Sequence, residues 1–208
     1  MAKPIVGDWR KMKKVGRFLV GRKRVVWRYR WQDEGQRWRV YTDSDWAGCR
    51  KTRKSSSGGV LMLGVHCIKA WCSTQGALAL SSAEAEFYSM VEGVLRVKGL
   101  ANIGREIGLE GGGKEIQVDV KEVEVGTDSS AAKGFVSKRG VGKMRHMEVK
   151  WLWLQEEVQK RRVVVKKVRG GDNPADVVTK YLTRKEVMER LGRVGIRVRD
   201  RGGKSRSG

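Results

Sequence analysis

From Asp8 to Val20 the apolar residues Trp9, Met12, Val15 and Leu19 recur at spacings of three and four between lysines and arginines. That period predicts a short basic helix, with Asp8 as its N-cap. Val25, Trp27, Tyr29 and Trp31 then alternate with Val26, Arg28 and Arg30. After Asp33-Glu34-Gly35 the alternation resumes through Trp38, Val40 and Thr42, so two strands joined by a turn are expected. Two apolar runs, Val60 to Val65 and Cys67 to Cys72, flank Gly64 and His66 and predict a hairpin or a sharp bend. The longest helix is expected after Ser81-Ser82-Ala83-Glu84, which has the spacing of a capping box. There Ala83, Phe87, Met90, Val94, Val97 and Ala101 follow at alternating steps of four and three.

Beyond Gly111-Gly112-Gly113, read as a flexible connector, Val123 and Val125 lead a strand into Thr127-Asp128-Ser129-Ser130 and a second strand-to-helix junction. Met147, Trp151, Leu154 and Val158 mark another amphipathic helix, Val163 to Val168 a strand, and Asn173-Pro174 a last helix with Asn as N-cap and Pro at N1. The expected order is three strands, a helix, a strand, two helices, a strand and a helix. Residues from Arg193 onward, rich in Gly and Arg, are expected to form a disordered basic tail.

Composition narrows the partner. The chain has 208 residues, 39% of them hydrophobic, enough to build a core without disulfide or metal staples. Lys plus Arg number 45 against 23 Asp plus Glu, a formal charge of +22, which points to a polyanionic partner. Cys49, Cys67 and Cys72 lack CxxC spacing, and His66 and His146 cannot complete a zinc set with them. The thiols are read as buried small hydrophobes in a reducing compartment. Without an apolar run of membrane-span length or a signal-peptide core, the expectation is an intracellular protein, cytoplasmic or nuclear, that binds no membrane.

Within this basic chain, acids stand where elements end. Asp43 closes one strand and Asp128 another, Glu86 lies in the first turns of the long helix, and Asp176 near the start of the last. Ligands of open α/β sheets bind beyond strand ends, and a carboxylate cluster there suits Mg²⁺. Two such ions about 4 Å apart can clamp a phosphodiester, one acidifying the attacking water and one stabilising the leaving oxygen. Taken singly, each acid also has a plain reading: Asp43 or Asp45 as a turn residue, Glu84 or Glu86 as a first-turn helix acid, Asp128 as an N-cap, Asp176 as a helix acid. Glu84 and Glu86 stand about 200° apart around a helix, so only one faces the crevice. The capping box takes Glu84 and leaves Glu86.

Six segments occur in the order found in the ribonuclease H domain of copia-type retrotransposon polyproteins: Tyr41-Thr42-Asp43-Ser44-Asp45-Trp46-Ala47-Gly48, Thr52-Arg53-Lys54-Ser55-Ser56-Ser57-Gly58-Gly59, Ser81-Ser82-Ala83-Glu84-Ala85-Glu86-Phe87-Tyr88, Thr127-Asp128-Ser129-Ser130-Ala131-Ala132, Arg145-His146-Met147-Glu148 and Ala175-Asp176-Val177-Val178-Thr179-Lys180. The chain resembles that family from about Val40 to Leu182, and the basic helix and strand before it look like the connection segment to reverse transcriptase. With no polymerase Tyr-x-Asp-Asp and no integrase zinc knuckle, it reads as a C-terminal fragment of such a polyprotein.

The resemblance implies an α/β, type 1 ribonuclease H-like fold: a five-stranded mixed sheet, three antiparallel strands first, flanked by helices. It divides the chain into a connection-like segment (1–36), the ribonuclease H-like domain (37–192) and the tail (193–208). It implies cleavage of the RNA strand of RNA–DNA hybrids with two Mg²⁺ ions, or Mn²⁺ in their place. The acid quartet maps onto Asp43, Glu86, Asp128 and Asp176. Ser44 and Ser129 match residues that touch RNA 2′-hydroxyls, with a turn residue and an N-cap as the plain alternatives. His146 matches a histidine of the family pattern, read as positioning or phosphate-contacting, and Lys143 and Arg145 beside it favour phosphate contact over a structural role. The histidine that cellular type 1 enzymes carry before the last acid has no counterpart between Val168 and Ala175. The partners implied are the hybrid and the reverse transcriptase part of the same polyprotein. Two rivals stand beside this reading: a catalytically silent nucleic-acid-binding remnant, and an integrase-type recombinase, which the strand, helix, strand, helix order of the acids disfavours.

Overall fold

The computed structural model describes residues 5–20, 24–32, 37–106, 122–140 and 149–199. Lys143, Arg145 and His146 lie outside the described residues.

Strands β2 (Trp38–Asp45), β3 (Ser56–Leu63) and β4 (His66–Thr74) form an antiparallel meander, and β5 (Val123–Thr127) and β6 (Val163–Lys167) add parallel strands on the other side of β2. The sheet order is β4-β3-β2-β5-β6, the five-stranded mixed sheet with three antiparallel strands first that the resemblance implied. Alternation along the strands divides two cores. Val40, Leu61, Val123, Val125 and Val163 turn to one face, where α2 (Ser82–Glu106) lays down Phe87, Met90, Val94 and Val97, with Val136 from α3 (Ser130–Val136) and Leu154 from α4 (Trp153–Gln159). Val60, Met62 and Cys67 turn to the other face and meet Val194 and Ile196.

Three expectations are corrected there. The strand β1 (Arg24–Trp27) pairs not with β2 but antiparallel with β7 (Ile196–Arg199). Beyond it, Gln32 donates to Leu63 O and accepts from Val65 N–H at the β3–β4 turn. The last part of the chain is therefore structured through Arg199 rather than a tail from Arg193: Val194 and Ile196 are buried under the sheet, and β7 is held by its ladder to β1. The single helix expected after Pro174 is two, a short α5 (Asp176–Thr179) and α6 (Arg184–Arg193), the latter started by a capping box of Thr183 and Glu186. Asn173 accepts the Ala175 N–H, but the regular helix begins at Asp176.

The basic helix α1 (Val6–Val20) starts two residues before Asp8, whose carboxylate accepts the Ile5 N–H from inside the first turn. Its apolar row is exposed. Of the thiols only Cys67 is buried, and Cys49 and Cys72 are exposed and free, which corrects the expectation of three buried cysteines. Among the described residues, no helix is long and apolar enough to cross a membrane.

Candidate active site

The site lies where the parallel strands β2 and β5 end, and small residues set how closely its parts approach. On α2, Glu86, Ser89 and Gly93 fall at steps of three and four and face the sheet. A Cβ on Gly93 would stand 2.8 Å from Thr42 Cγ2 and 3.2 Å from Val40 Cγ2, so the helix crosses β2 at a distance only glycine permits. One turn back, the Ser89 hydroxyl meets the carbonyls of Asp43 (2.8 Å) and Gly58 (3.2 Å). A further turn back brings Glu86 beside Asp43. Gly58, the register partner of Asp43 on β3, clears a similar space for α5, since its Cβ would meet Thr179 Cγ2 at 2.3 Å. The Asn173 amide ties the loop before α5 to β2 by donating to Thr42 O at 3.0 Å.

These contacts bring together Asp43, Asp128 and Asp176, which each offer a carboxylate oxygen within 4.8 Å of the others. Asp43 and Asp176 are buried, and Asp128, just past β5, is partly open to solvent. Glu86 is 8% exposed, and its two oxygens differ in their surroundings. Oε1 accepts from both the N–H (3.1 Å) and the hydroxyl (2.9 Å) of Ser44, whereas Oε2 is buried without a hydrogen-bond partner among the described residues. Ser44 is thus turned inward, with both donors engaged by Glu86. Ser129 fills the N-cap position of α3, its hydroxyl accepting the Ala132 N–H at 3.1 Å.

Burial is the main cause that pushes Glu86 up to about 8, and the charge of Asp43 and, more weakly, Asp128 adds to it against the pull of the Ser44 donors. Asp43 is likewise pushed up, chiefly by burial; Thr179 and Lys180 oppose the shift and Asp176 reinforces it. The two members of each acid pair separate clearly. Glu84 accepts from Leu80 N–H (3.0 Å) and Tyr88 Oη–H (2.6 Å), and its own N–H is capped by Ser81 Oγ at 3.2 Å, a structural set of contacts. Asp45 ends β2 as an exposed residue outside the triad.

Four hard carboxylates, one with a buried oxygen that no described residue satisfies, form a donor set that fits divalent cations with oxygen ligands. The field at this point already selects positive charge. Lys180, the fourth residue after Asp176, sets its ammonium 2.9 Å from Asp43 Oδ1, 2.8 Å from Asp176 Oδ1 and 3.7 Å from Asp128 Oδ2. Thr179 donates to the other Asp43 oxygen, and buried Arg190 holds the other Asp176 oxygen at 3.1 Å. Lys180 and Arg190 are site residues that the sequence reading missed. The i,i+4 step from Asp176 to Lys180 on a helix was the available signal.

A 146-residue stretch, 69% of this chain, is 32% identical to the retrovirus-related Pol polyprotein of transposon TNT 1-94 of Nicotiana tabacum, and covers 10% of that protein. The chain is homologous to copia-type retrotransposon Pol polyproteins. The Pol polyprotein of transposon RE1 of Arabidopsis thaliana is 25% identical over 157 residues, 76% of this chain and 10% of the relative. The chain thus spans about a tenth of the length of the Pol polyproteins it matches. No protein-family model matches it. Among solved structures, ribonuclease H1 of the archaeon Halobacterium salinarum superposes with a TM-score of 0.46 at 16% identity, covering 68% of this chain and 93% of that one.

Proposed function

We propose that this chain is the ribonuclease H part of a copia-type Pol polyprotein and hydrolyses the RNA strand of RNA–DNA hybrids. The observation that carries the reading is the convergence of Asp43, Asp128 and Asp176 at the ends of parallel strands, with the unpartnered Glu86 oxygen beside them. Asp43, Glu86, Asp128 and Asp176 would hold two Mg²⁺ ions, or Mn²⁺. Bound there, the ions would acidify a water and neutralise charge on the leaving 3′ oxygen, so that 5′-phosphate and 3′-hydroxyl ends are expected.

The protein's own contribution is to fix the carboxylates beforehand. Ser44 pins one oxygen of Glu86, and Arg190 and Thr179 each pin one oxygen of Asp176 and Asp43, whose other oxygens face the Lys180 ammonium. Such preorganisation lets little reorganisation accompany the reaction. Ser44, buried with both its N–H and its hydroxyl given to Glu86, acts as an orienting residue. Ser129, half-buried at the N-cap of α3, keeps its hydroxyl proton for a 2′-OH. Lys143, Arg145 and His146 are assigned to phosphate contact. The charge of +22 supplies the hybrid affinity, and the reverse transcriptase part of the same polyprotein is the proposed partner.

Purified chain incubated with labelled RNA–DNA, RNA–RNA and DNA–DNA duplexes, with Mg²⁺, Mn²⁺ or EDTA, tests the reading. Cutting confined to the RNA of the hybrid and abolished by EDTA is expected. Binding without cutting in both metals would favour the silent remnant.

A further inference from the structure

The ammonium of Lys180 stands among three carboxylates proposed as metal ligands, and the way those carboxylates divide their oxygens is informative. Thr179 takes one oxygen of Asp43 and Arg190 one oxygen of Asp176. Lys180 takes the remaining oxygen of each, and comes within reach of Asp128 as well. The fixed partners are buried or anchored: the Arg190 side chain is 8% exposed and also reaches Glu186 O. The Lys180 side chain is 41% exposed, and its backbone has left the helix for an extended conformation at the C-cap of α5. It therefore has both the solvent access and the freedom of a flexible four-carbon stem needed to leave. Arg190 has neither.

Resting on the two-ion reading above, we infer that Lys180 is an internal competitor for the metal site: its ammonium occupies the carboxylates of the metal-free protein and must swing out to solvent before divalent ions bind. This arrangement keeps a buried acidic cluster from repelling itself when no metal is present. It also sets a threshold for loading. If the ammonium holds the carboxylates about nine-tenths of the time, the apparent metal Kd is weakened ~10-fold relative to the open site.

Mn²⁺ binding, read from the free Mn²⁺ signal in electron paramagnetic resonance without any nucleic acid, separates the outcomes. Lys180→Met should bind Mn²⁺ ~10-fold more tightly than wild type, and Lys180→Arg, which keeps the positive charge, no more tightly. Lys180→Met should also melt at lower temperature in EDTA, and that loss should shrink as Mn²⁺ is added. Lys180→Met binding Mn²⁺ no better than a wild type that does bind it would overturn the inference while leaving the two-ion reading in place. Binding by neither protein at millimolar Mn²⁺ would overturn both. Binding by Lys180→Met alone would uphold the competitor and make wild type a self-blocked copy. A measurement on unaltered side chains guards against misfolding of the Met variant. In NMR of lysine ammonium groups, wild type should show one slowly exchanging signal, absent from Lys180→Arg, that vanishes on Mg²⁺ addition; its persistence at saturating Mg²⁺ would refute the displacement.

Discussion

Glu86→Gln should abolish most of the pH dependence of stability in the metal-free protein. Glu86 is pushed from an ordinary value of 4.5 to about 8, so between those pH values the folded chain keeps a proton that the unfolded chain has released. Because the folded state binds more protons, stability is fully present below the unfolded value and falls as pH rises toward 8. Each pH unit in that window is worth a little over ~1 kcal/mol, giving a ceiling of ~5 kcal/mol. Relaxation and water entry bring the expected loss to about half of that, on the order of 2–3 kcal/mol. Glutamine has the shape of the neutral carboxyl, and its carbonyl can still accept from Ser44, so it mimics the protonated acid without titrating. Urea unfolding in EDTA at steps from pH 5 to pH 9 measures the effect. Wild type should weaken steadily across the window. The variant should stay nearly level, matching wild type at pH 5 and exceeding it at pH 9. A variant that tracks the wild-type slope would show that Glu86 is ionised in the folded state, and would remove the argument for a buried, unsatisfied oxygen at the site.

Other residues yield sharper, smaller tests. Gly93→Ala places a methyl 2.8 Å from Thr42 Cγ2; overpacking should outweigh the gain in helix propensity and cost ~1–2 kcal/mol in a thermal melt, with hybrid cleavage lowered because Glu86 rides on the displaced helix. Arg190→Met strands one oxygen of buried Asp176 while Lys180 keeps the other, so its cost belongs at the low end for a broken buried pair, ~3 kcal/mol by urea unfolding. Removing 200–208, which contains three basic residues, should flatten the salt dependence of hybrid binding by up to ~1 in log–log slope per lost phosphate contact, read from binding at several salt concentrations. Removing everything from Arg193 should instead lower the melting temperature, because Val194 and Ile196 are buried there.

What the sequence made legible follows from what each signal encodes. Alternation located β2, apolar runs β3, β4 and β6, the pair Val123 and Val125 β5, and the three-four period α2, because these elements supply the residues of the two cores. The alternation of Val25, Trp27, Tyr29 and Trp31 marked extended chain but carried no information on its neighbour, and its partner β7 lies about 170 residues away. β7 itself was hidden by composition: Ile196 and Val198 alternate with Arg197 and Arg199, a strand pattern set in Gly-rich and Arg-rich sequence. The start of α6 was readable in the Thr183 and Glu186 capping box. In the site, the acids were legible because carboxylates at element ends are scarce in a basic chain. Arg190 was not, since among 45 basic residues nothing in a single arginine tells that it is turned inward, and Lys180 had only its i,i+4 step from Asp176 to mark it.

The central claim, that this acid cluster hydrolyses RNA in a hybrid, is tested most directly by following binding and cleavage of one 5′-labelled RNA–DNA hybrid in Mg²⁺ with four proteins. Asp43→Asn and Asp128→Asn should bind the hybrid about as wild type does and leave it uncut, having lost a carboxylate ligand without a phosphate contact. Glu84→Gln, altered at a structural contact beside the site, should still cut. Cleavage that persists in Asp43→Asn and Asp128→Asn, or an intact hybrid in the presence of wild type and Glu84→Gln alike, would contradict the assignment.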